Sequence, residues 1–330
     1  MALENDRVFG VRALSEAINV LPKTPSVIRD LGIFKPVFLT TTTCEVEYRE
    51  GAFNLVPAVE RGTGGVPVPQ KQRRVHSFRV PHFPVDDRIL AEDVQNVRAF
   101  GTDNKLTAVV EVVNDKLSDA KANLEYTREH LMLGALLGKV LDKDGDVLCD
   151  IHTEFGVTPA EYNWALGNAN TEVAKEIDKT KTAQGQFAKG EPNGGAIVLA
   201  SPEFMQALIY HKSVKDLYLR YQEAASLRAD STHIEFKMKG VHFIQYDETF
   251  DGDVNIAAGE AIWLPNGTRQ VFREFFAPAD MNATVNTKAL QYYALREKLP
   301  LDKGWAIHAQ TNALPLVLRP QMVCKIKAAA

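Results

Sequence analysis

The chain has 330 residues, 45% of them hydrophobic and 24% charged, with a formal net charge of −4. This length suits one large or two intermediate domains, and the charge is not that of a dedicated nucleic-acid binder, which is usually clearly basic. Cys44, Cys149 and Cys324 are far apart and form no CxxC or Cys/His cluster, which fits a reducing compartment better than a disulfide scaffold.

Residues 1–40 read as an N-terminal arm. Phe9, Leu14 and Ile18 stand at roughly helical spacing, and Pro22, Pro25 and Pro36 then forbid a long helix. The opening segment carries acids and no continuous apolar run, unlike a signal peptide. The most apolar window, Leu131–Val140, is too short to span a bilayer. The product is expected to be soluble and intracellular when made, with no membrane partner.

Thr41–Asp87 is the most informative stretch. An outgoing arm alternates around Val46, Tyr48, Phe53, Leu55 and Val56. The tip Gly62-Thr63-Gly64-Gly65, followed by Pro67 and Pro69, suits neither helix nor central strand. A return arm, Arg73–Pro84, alternates around Val75, Phe78, Val80 and Phe83. The outgoing arm holds Glu45, Glu47, Glu50 and Glu60 against Arg49, whereas Arg61–Arg79 holds Arg61, Lys71, Arg73, Arg74 and Arg79 with no acid. A loop this long in a compact domain is usually functional or disordered. The expectation is a projecting hairpin that lies across a neighbouring copy; the alternative is a solvated, flexible hairpin.

Asp86–Phe100 is expected to form a short helix and Asn114–Val140 a long one. The long helix has an apolar stripe of Leu117, Ala120, Leu124, Leu131 and Ala135, with Lys121, Glu125, Arg128 and Glu129 off it. Asp144-Gly145 between short runs predicts a tight hairpin. Trp164–Phe187 reads as a second long helix, Gly194–Ala200 as a buried strand and Pro202–Tyr210 as a short helix. Strands are expected on both sides of Gly240, at Ala261–Leu264, Arg269–Phe276, Ala306–Gln310 and Leu314–Leu318, with an acidic loop at Asp247–Glu260.

Chemistry-bearing patterns are sparse. Asp142, Asp144 and Asp146 have their glycine at the wrong position for a calcium loop. Gly185–Gly190 lacks the Gly-Lys-Ser/Thr of a phosphate loop. Cys149, His152 and Glu154 lie close in sequence, so a soluble hydrolase built on them is one rival reading. HExxH, GxSxG and paired-carboxylate motifs are absent from the sequence. The expectation is no enzyme, no cofactor and no metal. Lys175, Lys179, Lys181 and Lys189 are interleaved with Glu172, Glu176 and Asp178, a solvated face or a weak contact to packaged nucleic acid.

Four segments carry a family resemblance: LVPAVERGTGG with RRVHSFRVPHFPVDDRI, then LLGKVLDKDGDVLCDIHTEFG, AIWLPNGTRQVFREFFAPADMNATVNT, and HAQTNALPLVLRPQMVCKIK. In this order and length the chain resembles the phage major capsid protein E family, the lambda-like group of tailed-phage coat proteins. The resemblance implies an α+β, HK97-type capsid fold. Its parts would be an N-terminal arm (1–40), an E-loop (41–85), and a P-domain (86–189) with a spine helix at 114–140. An A-domain (190–258), P-domain strands and a loop (259–305), and C-terminal strands closing the A-domain (306–330) would follow.

The function it implies is that of a major capsid protein. Copies would assemble through pentamers and hexamers into an icosahedral shell around double-stranded DNA, in the virion, after assembly in the bacterial cytoplasm. Val56, Val59, Val75, Phe78 and Phe83 would be apolar anchors of the E-loop interface, with Arg61, Arg73 and Arg74 fixing register. Asp247, Glu248, Asp251 and Asp253 would line a loop near the capsomer axis. Partners would be further copies, with separate scaffold, portal and decoration proteins and weak non-specific DNA contact. A cellular compartment shell of encapsulin type, with the same fold, is the other rival.

Overall fold

The computed structural model describes residues 11–49, 73–90, 105–188, 191–225, 234–250 and 254–329. In chain order, α1 (Val11–Val20) and α2 (Val27–Asp30) lead into β1 (Lys35–Phe38). Strands β2 (Thr43–Arg49) and β3 (Arg73–Arg79) pair with each other, and β4 (Phe83–Leu90) precedes α3 (Lys105–Leu137). Then come β5 (Lys139–Leu141), β6 (Val147–Asp150), α4 (Ile151–Phe155), β7 (Ala160–Asn163) and α5 (Val173–Ala188). They are followed by β8 (Gly195–Ala200), α6 (Pro202–Ile209), α7 (Lys215–Ala225), β9 (Glu235–Met238) and β10 (Val241–Gln245). The chain ends with β11 (Glu260–Asn266), β12 (Phe272–Phe276), β13 (Tyr293–Lys298), β14 (Gly304–Thr311), β15 (Ala313–Val317) and β16 (Cys324–Lys327).

These elements form two compact units. The first comprises Met1–Cys44, Ser77–Met132 and Glu274–Pro315; the second comprises Glu45–His76, Leu133–Arg273 and Leu316–Ala330. In the first, β14 is the centre of a sheet ordered β13-β14-β4. Its register is antiparallel on both sides, with Leu295 and Asp86 flanking His308. One face carries Ile89, Ala294, Ile307 and Ala309, which pack with Leu14 and Ile18 of α1 and Val113, Leu117 and Leu124 of α3. Period-2 alternation on the strands meets a 3.6-residue stripe on the helices. Ser15 also accepts a 3.1 Å hydrogen bond from the Ala294 N–H, and Asn19 Nδ2 donates to the Tyr292 carbonyl at 2.9 Å.

The second unit is built on a mixed sheet ordered β7-β16-β11-β8-β10-β9. β8 runs parallel to β10 and antiparallel to β11, and β16 runs parallel to β7. β8 reads GAIVLA because both its faces are covered. Trp164 is buried beside Phe204, Phe243 and Trp263, at ring separations of 6.0, 6.1 and 6.4 Å. Its indole N–H donates to Thr180 Oγ1 at 3.1 Å. The hairpin β9–β10 turns on Lys239 and Gly240, both with positive φ, as a two-residue turn between twisted strands requires.

Several boundaries differ from the sequence expectation, for physical reasons. Asp86–Leu90 is strand, not helix, because it alternates against β14; 91–104 lie outside the described residues. The long helix starts by Lys105 and stops at Leu137, and Lys139–Leu141 is strand. Gly138 ends it with φ +95, and a Cβ there would lie 1.9 Å from the His152 ring, so only glycine fits. The second helix begins at Val173 rather than Trp164. Trp164 follows β7 and enters the core from a turn in which Ala165 has positive φ, a conformation an α-helix does not contain. β14 belongs to the first unit, and of the C-terminal segment only Leu316–Ala330 joins the second.

Candidate assembly surfaces

The paired strands β2 and β3 form the base of the hairpin expected at Thr41–Asp87. The Val80 N–H donates to the Thr42 carbonyl at 3.0 Å. Cys44, Val46, Phe78 and Val80 are buried, and Val75, Ser77 and Arg79 are exposed. Burial pushes the Cys44 thiol up to about 11, so it acts here as a small apolar side chain. His76 faces the body of the second unit. Its ring is 5.1 Å from that of Phe155, and its Nδ1 is 3.7 Å from Glu154 Oε2.

The proposed anchors therefore separate. Val75 is 55% exposed and Phe78 only 7%. Phe83 is half-buried and packs on the core of the first unit. Of these three, Val75 is the one whose apolar area faces outward. Arg73 and Arg74 lie on β3. Val56, Val59 and Arg61 lie outside the described residues. In the acidic loop, Asp247 is exposed and accepts from Gln245 Nε2 at 2.7 Å, and Glu248 follows it. Phe250 and Val254 are buried, and Asp251 and Asp253 lie outside the described residues.

A charged cluster inside the first unit escapes sequence reading. Lys121, Glu125, Arg128 and Glu129 on α3 are all buried. The Arg128 guanidinium holds the Glu274 carboxylate in a two-point bond, Nε–Oε1 2.8 Å and Nη2–Oε2 2.7 Å. It also stacks 5.0 Å from the Phe276 ring and 5.2 Å from that of Tyr292, whose hydroxyl it bonds. Glu125 accepts from the Thr24 N–H and hydroxyl at 2.6 and 2.5 Å and lies 3.2 Å from Arg29. Glu129 accepts from the Ile28 N–H at 2.8 Å and from the Ser26 hydroxyl. Lys121 Nζ donates to the Leu21 carbonyl at 2.6 Å. The helix thus ties the arm by hydrogen bonds to residues 21–28. Burial raises the Glu129 carboxyl above its ordinary value, against the pull of the Ser26 and backbone bonds. Burial likewise pushes the Tyr292 hydroxyl up to about 12. The only sequence signal is Lys121, Glu125 and Arg128 at i, i+4 and i+7, which ordinarily marks a solvated face.

The second unit has an exposed apolar area of its own. A hollow of about 430 Å³ is lined by Ile209, Tyr210, Tyr218, Leu219 and Ile234, among others, and Tyr210 is 72% exposed. On α5, Lys175 and Lys179 pair with Glu172 and Glu176 at 2.7 and 2.5 Å, and Lys239 pairs with Asp178. These lysines form a solvated ion-pair face.

Cys149 is buried, the His152 ring lies against Gly138, and Glu154 faces His76. Burial lowers the His152 pKa. Among the described residues no group of three or more His, Cys, Asp or Glu side chains is arranged to hold a metal ion. No described helix is long and apolar enough to cross a membrane.

Comparison with known proteins agrees with this architecture. The family model of phage major capsid protein E matches residues 10–328. The major capsid protein of Pseudomonas phage KPP10 is 30% identical over 349 aligned positions, covering 99% of both chains. That of Salmonella phage Felix O1 is 26% identical, covering 99% of this chain and 98% of its own. Among solved structures, the capsid of a native GTA particle superposes with a TM-score of 0.54 at 13% identity, covering 94% of this chain and 93% of that one. The mature capsid of bacteriophage PhiM1 gives 0.51 at 13% identity, over 93% and 88%. The fold is α+β and of HK97 capsid type, and the chain belongs to the phage major capsid protein E family.

Proposed function

We propose that this chain is the major subunit of a phage shell and that its mechanism is assembly rather than catalysis. The observation that carries the reading is the family match over nearly the whole chain. The product is a virion protein, and its principal partner is a further copy of itself. Copies build pentamers and hexamers that close an icosahedral shell around double-stranded DNA in the bacterial cytoplasm. Scaffold, portal and decoration proteins are separate chains. With a net charge of −4, contact with the packaged DNA is weak and non-specific.

In this reading the sheet β13-β14-β4 with α3 corresponds to the P-domain, and the six-stranded sheet with α5, α6 and α7 corresponds to the A-domain. The hairpin of β2 and β3 is the E-loop and lies over an adjacent subunit. Val56, Val59 and the exposed Val75 supply apolar contact, and Arg61, Arg73 and Arg74 fix register. Apolar burial at about 25 cal/mol per Å² makes such contacts worth several kcal/mol before the cost of ordering. Asp247, Glu248, Asp251 and Asp253 lie near the capsomer axis, where like charges repel and make assembly sensitive to salt. Both curated relatives are phage coat proteins, which supports a phage shell over a cellular compartment.

Deleting Gly62–Pro69 tests the reading. The variant is expected to give folded subunits that no longer close shells in electron micrographs. Normal shells from this variant would refute the role given to the hairpin.

A further inference from the structure

The long helix stops against a short one. Gly138 ends α3 with φ +95, and the His152 ring of α4 fills the space that a side chain there would need, with a Cβ falling 1.9, 2.3 and 2.4 Å from three of its ring atoms. The Ile151 N–H donates to the Gly138 carbonyl at 2.9 Å, so the first residue of α4 is also tied to the helix stop by its backbone. α4 is capped at both ends. Asp150 Oδ1 accepts from the Thr153 N–H at 2.9 Å, and Gly156 follows in the left-handed region with its N–H on the Thr153 carbonyl at 3.2 Å. Two residues beyond His152, the same helix meets the hairpin. The Phe155 ring lies 5.1 Å from that of His76 on β3, and Glu154 Oε2 is 3.7 Å from His76 Nδ1. One short helix therefore touches both the end of α3 and the base of β2–β3, and all these groups belong to the second unit.

The seat of His152 suits a neutral ring. The residue is half-buried, and α4 packs on β5 and on the turn Pro320–Met322. Neither that turn nor the last turn of α3, Gly134–Leu137, carries an ionisable side chain. The charged groups around the ring are Lys139 on β5, Lys325 on β16 and Asp150. Both ammoniums disfavour a further cation. Asp150 favours one, but its oxygens are engaged, Oδ1 by Thr153 and Oδ2 by Lys139 at 3.5 Å. Burial, more than the lysines, holds the imidazole below its ordinary value of 6.5. We infer that α4 is a strut coupling the stop of α3 to the base of the hairpin β2–β3, and that it lets go when His152 takes up a proton. A charged ring leaves its place against Gly138, α4 moves with it, and the Phe155–His76 contact is lost. The stability that the seat supplies is fully present above pH 6.5 and is lost as pH falls below it, through the folded-state value. The consequence for assembly, that acid frees the hairpin base, rests on the shell-forming reading. The coupling itself is a property of the single subunit, so its failure leaves that reading intact.

Hydrogen exchange of the full-length subunit, read by mass spectrometry at about pH 7.5 and about pH 5 and corrected for the intrinsic effect of pH, tests this. At the acid value, protection of the amides of residues 45–49 and 73–76 is expected to fall about fivefold or more, together with that of β5 and β6. His152→Gln, neutral at both values, should abolish both losses. Phe155→Ala cuts the strut on the hairpin side: β5 and β6 should still respond to acid, whereas β2 and β3, already less protected at neutral pH, should not. Strand β8 of the same unit should be unmoved in all three proteins, which separates release of the strut from general acid unfolding. His152→Asn and Phe155→Leu, with the same expectations, replace a variant that circular dichroism shows to be unfolded. Equal protection of wild type at the two pH values would overturn the inference, and so would a parallel loss in β8. A hairpin response that survives His152→Gln would place the sensor at His76 and Glu154 instead, and one that survives Phe155→Ala would remove the strut.

Discussion

Replacing Arg128 with methionine removes the cation that neutralises Glu274, leaving a carboxylate in a site where both side chains are at most 4% exposed. Breaking a buried pair from one side costs roughly 3–5 kcal/mol, whereas replacing both partners with apolar groups is often neutral or stabilising. The structure favours the upper part of that range. The pair is two-pointed, and Arg128 also bonds the Tyr292 hydroxyl and stacks on two rings. For a unit of this size the loss corresponds to roughly 6–20 °C in Tm. Hydrogen exchange at the amides of residues 121–132 in unassembled subunits reads the change locally. Protection in R128M should fall by about a hundredfold to several-thousand-fold. R128M/E274L should recover to within about 1 kcal/mol of wild type or exceed it. If R128M exchanges within about tenfold of wild type, or the double variant is no better than the single, the cluster does not hold α3 as described.

Further predictions concern the arm, the end of the long helix and its supporting ring. Burial raises the Glu129 carboxyl above its ordinary value of 4.5, so the folded state takes up that proton before the unfolded chain does as pH falls. The stability this contributes is fully present below 4.5 and is lost as pH rises through the folded-state value. Wild type should therefore gain on E129Q as thermal unfolding is moved from neutral pH toward 4.5; a constant difference across that range would contradict the assignment. Gly138→Ala places a Cβ 1.9 Å from the His152 ring at a backbone φ of +95. It should cost at least about 2 kcal/mol in urea unfolding. His152→Ala added to it should recover only the steric part, because the backbone strain remains. Full recovery would show that φ is not strained there.

Where periodicity and burial coincide, the fold is legible in the sequence. The hairpin base, the buried strand GAIVLA, the Asp144-Gly145 turn and the C-terminal strands are each read from alternation or turn chemistry, and they stand within a few residues of their positions. The misses share one cause: tertiary contact overrode local pattern. Asp86–Leu90 has enough charge to pass for a helix, yet its alternate residues face β14 and the core. Trp164 follows strand β7 and reaches the core from a turn, so the helix expected from there begins only at Val173. The buried charges of α3 are the plainest case. Lys121, Glu125, Arg128 and Glu129 look like a wet face, and what covers them is distant in sequence: the arm at Leu21–Ile28, Glu274 and Tyr292. The candidate assembly surfaces are half legible. Charge asymmetry of the hairpin is visible in the residues, but the hollow lined by Ile209, Tyr218 and Ile234 exists only once those residues are brought together.

The central claim is that this chain completes itself on copies of itself. Size-exclusion chromatography of the purified full-length protein, followed by electron microscopy of the leading fraction, tests it most directly. Closed particles of uniform diameter are expected, dissociating to pentamers and hexamers when subunit contacts are weakened by salt or mild denaturant. A chain that elutes as a lone globular subunit across concentration and ionic strength, with no closed particles on the grid, would contradict the account.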